Sequence, residues 1–249
     1  LIFWATIKIS LNRFAGTKVD FSGFILRDAR PEWAQPSEGS PGKTKVTGTL
    51  HLDANVISAS GSSHLNIQAG QLQIRRMRPQ DVPEVMEIES VSFGRHHWSE
   101  DSFHNEMNNQ VGRYYSLLDT EREKLIGYCG FWLILDEAHI TTVAVRPEYR
   151  RNALGELLLL QIMERAMSHS IRWVTLEVRV TNYNAQNLYY KYGFTSVGLR
   201  PKYYQDNQED ALIMTTGDIL SETYRNDFRE LKMALQKRLN GFPKGFGQS

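Results

Sequence analysis

The stretch that decides the fold is "RRNALGELLLL", Arg150 to Leu160. Two cations open it, and it ends in a leucine run that must be buried. Asn152 to Gly155 reads as the first turn of a helix over 153–169. Leu157, Leu158, Leu160, Ile162 and Met163 are too many for one narrow stripe, so the helix is buried on most sides. A helix start with exposed amides and neighbouring cations is a seat for an anion, most often a phosphate, because free N–H groups and the helix dipole both favour negative charge.

Working outward, "AHITTVAVRPEY" (138–149) is a strand stopped at Pro147. "YYSLLD" (114–119) and "LIGYCGFWLIL" (125–135) are antiparallel strands joined by the charged "TEREK" turn. "SEDSFHNEM" is a helix with Ser99 as N-cap. Leu72 and Ile74 begin a strand, and Pro79 and Asp81 open a helix whose apolar face holds Val82, Val85, Met86 and Ile88. Downstream, "WVTLEVRV" (173–180) is a strand, "AQNLYYKYGF" (185–194) a helix closed by Gly193, and "ALIMTT" (211–216) a final strand. Helix, helix, three strands, helix, strand, helix, strand is an α/β layered pattern, with the folded domain over 72–217.

Two segments lie outside that domain. Residues 28–71 are rich in Gly, Ser, Pro and Asn, and 1–71 reads as a partly disordered extension. No acidic residue precedes Asp20, while Lys8, Arg13 and Lys18 do. That bias fits the remnant of an organelle transit peptide, which places the chain in a plastid stroma; a truncated, poorly ordered terminus in a cytoplasmic protein is the other reading. In 218–249, Tyr224, Phe228, Leu231, Leu235 and Leu239 form one apolar stripe, ended by Asn240-Gly241 and Pro243. This amphipathic helix packs on its own domain or on a partner.

Composition excludes several function classes. With 29 basic against 28 acidic side chains, no global field draws nucleic acid or a membrane surface. No apolar run reaches the roughly 20 residues of a transmembrane helix. The single cysteine, Cys129, excludes an internal disulfide and sits in an apolar strand, where a thiol is inert. His96, His97 and His104 lack acidic or cysteine partners at ligand spacing, so no metal is expected.

Three pieces then fall into one order: the strand "TTVAV" before "RPEYRRNALGE", the strand "TLEVRV" before "TNYNA", and "NLYYKYGF". Here the chain resembles the GNAT superfamily of acetyl-CoA-dependent N-acetyltransferases, and within it the RimI-type protein N-terminal group. The resemblance covers about 72–217. It implies a mixed, mostly antiparallel sheet flanked by helices. The family's phosphate loop, Gln/Arg-x-x-Gly-x-Gly/Ala, is matched by Arg150, Arg151, Asn152, Ala153, Leu154 and Gly155. The later block, Asn-x-x-Ala-x-x-Leu-Tyr-x-x-x-Gly-Phe, is matched by Asn182, Ala185, Leu188, Tyr189, Gly193 and Phe194.

The resemblance implies that the anion is the pyrophosphate of coenzyme A, cradled by amides from Arg151 to Glu156. It implies that the backbone of Val143, Ala144 and Val145 pairs with the pantetheine arm, and that Asn182, Tyr183 and Asn184 contact the cofactor, although the asparagines can equally cap the next helix. It makes Glu177 the general base and Tyr189 the acid that protonates the departing sulfur. The plainer readings are an ion pair of Glu177 with Arg179 and a core aromatic at Tyr189. Ala153 stands where the family usually has glycine; in a regular helical first turn that costs little, which is the expectation here, whereas a positive φ would weaken cofactor binding.

RimI-type enzymes hold a peptide N-terminus between the first helix–helix loop and the last hairpin. Phe93 and Trp98 in "SFGRHHWSEDSF", and Tyr203 and Tyr204 in "LRPKYYQDNQEDALIM", resemble those contacts. His97 replaces a proline frequent before that tryptophan. The acceptor expected is a protein N-terminal amine, with lysine side chains as a second class. A small amine as acceptor, or a non-catalytic coenzyme A-sensing module, is the alternative.

Overall fold

A computed structural model describes residues 67–94 and 97–248; of the extension expected over 1–71, residues 1–66 lie outside the described residues, as does His96, while Ala69–Gln71 form a 3-10 turn leading into the first strand. The elements are β1 (Leu72–Arg76), α1 (Val82–Phe93), α2 (Glu100–Asn108), β2 (Gly112–Asp119), β3 (Lys124–Ile134), β4 (Glu137–Val145), α3 (Leu154–Ser168), β5 (Trp173–Arg179), α4 (Tyr183–Lys191), β6 (Phe194–Tyr204), β7 (Glu209–Thr216) and α5 (Glu222–Leu239). The seven strands run β1-β2-β3-β4-β5-β7-β6. Every neighbouring pair is antiparallel except β4–β5.

Sequence and structure agree on each of these elements except two. Pro79–Asp81 forms a single 3-10 turn before α1 rather than its first turn. Asp81 is instead tied down by Arg75, by the Arg78 N–H and by the Ser116 hydroxyl. The arm of the last hairpin reaches back to Phe194, a strand that alternates too poorly to be read from "FTSVGLRPKYY" alone.

β3 is buried along most of its length because helices cover both faces of the sheet. On one face α1 and α2 pack Val85, Ile88 and Phe103 over Tyr114 and Tyr128. The other face carries α3, with Leu157, Leu158, Leu160, Ile162 and Met163 fully buried against Ile126, Cys129 and Phe131. Each such side chain contributes about 1.5–3 kcal/mol of burial, and Leu158→Ala would cost about 2–5 kcal/mol. Gly130 is needed where it stands, because a Cβ would lie 2.1 Å from the Tyr114 ring. Cys129 is fully buried, and burial pushes its thiol far up, so it is inert.

The tail helix packs on its own domain. Phe228, Leu235 and Leu239 are buried, and Tyr224 and Leu231 lie against the same core. Beyond it the chain turns back along the sheet edge, where the Ile74 N–H donates to the Lys244 carbonyl at 2.9 Å.

Candidate active site

The single parallel pair places the site. β4 and β5 pair only from Glu137↔Trp173 to Ile140↔Leu176. Thr141 is an extra residue at a bulge against β3, where the register jumps from Gly130↔Thr142 to Phe131↔Ile140. A bulge bends its strand, and beyond it β4 leaves β5, which goes on pairing with β7 alone through Glu177, Val178 and Arg179. The result is a wedge. One wall is the Val143–Val145 backbone, with no strand on its β5 side; the other begins at Glu177.

At the end of that wall the chain enters α3 through two left-handed residues, Arg151 (φ 64°) and Ala153 (φ 60°). This corrects the expectation of a regular first turn. Ala153 is the N-cap, in a conformation that disfavours a Cβ by roughly 1 kcal/mol. The first helical bond runs from the Leu157 N–H to the Ala153 carbonyl at 2.9 Å. The amides of Leu154, Gly155 and Glu156 are therefore the open donors of the helix start. A Cβ added at Gly155 would meet nothing within 4 Å. Free donors beside open space fit a phosphate group.

The neighbouring side chains are partly committed. Arg150 donates through Nε to the Val145 carbonyl (3.0 Å) and through Nη2 to Ser92 Oγ (3.1 Å), bracing β4 against α1. Arg151 is exposed. The Asn152 amide turns back to the Tyr149 and Arg150 carbonyls. Leu154 is buried. The Glu156 side chain is also buried, hydrogen-bonded by Tyr192 and paired with Lys191 and Arg238. Asn182 caps α4, accepting from the Ala185 N–H, while Tyr183 and Asn184 are exposed in its first turn.

Glu177 is not paired with Arg179, and that reading is corrected. Arg179 goes to Asp206 (2.8 Å) and Glu209 (3.0 Å) at the β6–β7 turn. The Glu177 side chain is 6% exposed, with Oε2 3.1 Å from His139 Nε2 and Oε1 3.0 Å from Arg200 Nη2. The second contact is close but out of line, so Oε1 has no hydrogen-bonded donor. It is a buried carboxylate oxygen held by an ion pair with Arg200.

His139 and Arg200, which flank the Glu177 carboxylate, were not singled out by the sequence reading. His139 stacks on Trp132 at 5.8 Å, and its Nδ1 lies 3.2 Å from Thr175 Oγ1. Thr175 in turn donates to Glu137 at 2.5 Å. A hydroxyl has one proton, so Thr175 receives the Nδ1–H of His139. The other ring nitrogen, Nε2, then faces Glu177 Oε2. A lone histidine in an apolar strand was the only signal, with its partner 38 residues away.

Tyr189 is half-buried on α4, its ring 5.5 Å from Phe194. Burial pushes its hydroxyl up to about 12, so it carries its proton at neutral pH. Tyr203 and Tyr204 meet edge to face at 5.1 Å, with Arg200 over the first and Arg179 over the second. The Tyr203 hydroxyl is pushed up by burial and by the Glu177 charge. Because Tyr203 is 42% exposed, the charge of Glu177 is the firmer cause. Burial pushes the Tyr204 hydroxyl up as well, with a smaller contribution from the Glu177 carboxylate.

Phe93 and Trp98 lie half-buried at either end of the α1–α2 loop. Trp98 packs on Phe103 (5.4 Å) and Tyr114 (6.2 Å). Its backbone N–H donates to Glu89, a buried carboxylate on α1, at 3.0 Å. Among the described residues no three His, Cys, Asp or Glu side chains gather as a metal set.

Residues 82–194 match the Acetyltransferase (GNAT) family model. A putative [ribosomal protein bS18]-alanine N-acetyltransferase of Bacillus subtilis is 43% identical over 141 residues, 57% of this chain and 92% of that protein. The Escherichia coli K12 [ribosomal protein bS18]-alanine N-acetyltransferase is 34% identical over 143 residues, 57% of this chain and 94% of its own. The crystal structure of the E. coli ribosomal-protein-S18-alanine N-acetyltransferase superposes with a TM-score of 0.54 at 28% identity, over 61% of this chain and 97% of that one. These relatives are matched over nearly their full length, and the chain belongs to the GNAT family of acetyltransferases.

Proposed function

We propose that the chain transfers the acetyl group of acetyl-CoA to the N-terminal α-amine of a protein substrate, with lysine ε-amines as a lesser acceptor class. The observation that carries this reading is the buried Glu177 carboxylate in the wedge between β4 and β5, flanked by His139 and Arg200. Acetyl-CoA is the family's cosubstrate and supplies an activated acetyl thioester.

The amides of Leu154, Gly155 and Glu156 suit its pyrophosphate, and the unpaired side of Val143–Val145 suits an extended, amide-bearing arm in the manner of an added strand. An N–H of that strand, near Val143, is placed to polarise the thioester carbonyl. The incoming ammonium must lose a proton before its nitrogen can attack. Glu177 Oε1 accepts it, directly or through one water, while His139 and Arg200 hold the carboxylate in place. Tyr189 gives its proton to the leaving sulfur. No covalent enzyme intermediate is needed.

The acceptor class follows from the rim. The aromatic side chains of the α1–α2 loop and of the β6–β7 hairpin are of a kind that suits a peptide backbone, and the similar bacterial proteins are named for acetylating a protein alanine. The test is a peptide pool in which free α-amines and lysines both occur, incubated with acetyl-CoA and sequenced by mass spectrometry. Acetyl marks concentrated at N-terminal residues support the reading. Marks confined to lysines, or transfer only to polyamines added in parallel, contradict it.

A further inference from the structure

The helix α5 lies wholly outside the residues matched by the family model, yet it touches both elements of the proposed cofactor site. On the α3 side, Arg238 of α5 pairs with Glu156 in the first turn, and Lys232 pairs with Glu164 at 2.6 Å. On the α4 side, the Tyr224 hydroxyl donates to the Tyr192 carbonyl at 2.8 Å, and Phe228 meets the Tyr192 ring at 6.3 Å. Gly193, at φ +77°, ends α4 directly beneath Tyr224; a Cβ there would lie 3.0 Å from its ring. The start of α3 and the helix carrying Tyr189 are thus pinned to one external strut.

The charge arrangement gives this strut a consequence for anion binding. A carboxylate at the third position of a helix stabilises that helix, but it also sets a negative charge beside amides that are to receive a pyrophosphate. Glu156 would oppose the cofactor if left alone. It is not alone: Lys191 from the end of α4 donates at 2.6 Å, the Tyr192 hydroxyl at 2.8 Å, and Arg238 completes the set. Burial raises the Glu156 carboxyl, and these three donors more than offset it, leaving it below the usual carboxylate range. The group is one anion and two cations, net positive, next to the helix start.

We propose that α5 is an intramolecular clamp on the acetyl-CoA site, and that Arg238 is a positioning residue that turns the charge beside the pyrophosphate cradle from neutral to positive while holding α3 against α4. The inference rests on the cradle assigned above. It concerns cofactor affinity and leaves the acetyl-transfer chemistry to Glu177 and Tyr189.

The experiment compares wild type, Arg238→Gln and Arg238→Lys in the full chain, with two donors: acetyl-CoA and S-acetyl-pantetheine, which lacks the pyrophosphate. For Arg238→Gln, KM for acetyl-CoA should rise about fivefold at low salt, the scale of one charge at a helix terminus. KM for S-acetyl-pantetheine should stay put, and kcat should change little with either donor. Raising the ionic strength should shrink the effect, and Arg238→Lys should restore most of the affinity. An unchanged KM for acetyl-CoA overturns the clamp. So does an equal rise for both donors, which would mean general loosening of the fold. If wild type itself makes no distinction between the donors, the cradle assignment falls and the clamp with it. Should Arg238→Gln fail to fold, Lys191→Gln removes the other cation from the same carboxylate and is held to the same outcomes.

Discussion

His139 Nε2 lies 3.1 Å from Glu177 Oε2 across the mouth of the β4–β5 wedge, and a threonine hydroxyl committed to Glu137 fixes which ring nitrogen faces the carboxylate. In the proposed mechanism the carboxylate held this way accepts the amine proton without moving. His139→Gln keeps a polar side chain beside Glu177 but has no ring nitrogen that can take up a proton. Its kcat should fall about tenfold, short of the roughly hundredfold or greater loss for a general base itself, and the acidic limb of the pH–rate profile should change shape. Wild-type rates and an unaltered profile would reduce His139 to packing on Trp132.

The left-handed Ala153 gives a prediction of opposite sign. Ala153→Gly removes the Cβ from a residue at φ 60° and should stabilise the fold by up to about 1 kcal/mol, net of the entropy glycine costs in the unfolded chain. It should also lower KM for acetyl-CoA, since the cradle no longer holds a strained residue. A drop in melting temperature with no gain in affinity would show that the alanine is relaxed where it stands.

How far the site could be read from the chain turns on separation and on register. "RRNALGELLLL" and the complete "N-x-x-A-x-x-L-Y-x-x-x-G-F" block are local, so the sequence could name the anion seat, Glu177 and Tyr189 as candidates. The order of elements followed because apolar period and punctuation are local too. What escaped was set by distant pairing. His139 finds Glu177 only through a parallel register, and Arg200 only through a hairpin arm whose alternation is masked by glycine and proline. Arg179 looked like the partner of Glu177 because it is two positions along the same strand; the acidic β6–β7 turn, Asp206 and Glu209, captures it instead. The positive φ of Ala153 depends on how β4 must turn to enter α3, which no single residue announces.

Glu89 makes a pH-dependent prediction about stability. Its side chain is buried, one oxygen takes the Trp98 N–H and the other has no donor among the described residues. Burial pushes its carboxyl up to about 7, against an ordinary value of 4.5. A raised folded value means that the folded state keeps the proton after the unfolded chain has released it. Its contribution is complete below about pH 4.5 and is lost as pH rises to about 7, by about 3 kcal/mol at most. Glu89→Gln keeps an acceptor for Trp98 and cannot ionise. It should be more stable than wild type above pH 7, with the gap closing toward pH 5 in denaturant titrations. A gap that is constant with pH would place the charge elsewhere.

The most direct test of the acetyl-transfer account sets wild type, Glu177→Gln and Tyr189→Phe side by side. Acetyl-CoA binding is measured by calorimetry, and turnover of an N-terminally free peptide at saturating donor is followed from pH 6 to 9. All three proteins should bind acetyl-CoA alike. Tyr189→Phe should lower the whole rate curve by roughly a hundredfold or more, the scale of losing one acid. Glu177→Gln should lose most at neutral pH and recover toward pH 9, where more of the amine is already free. Wild-type turnover by both variants, or a wild-type protein that binds acetyl-CoA and transfers nothing to any α-amine, would contradict the account.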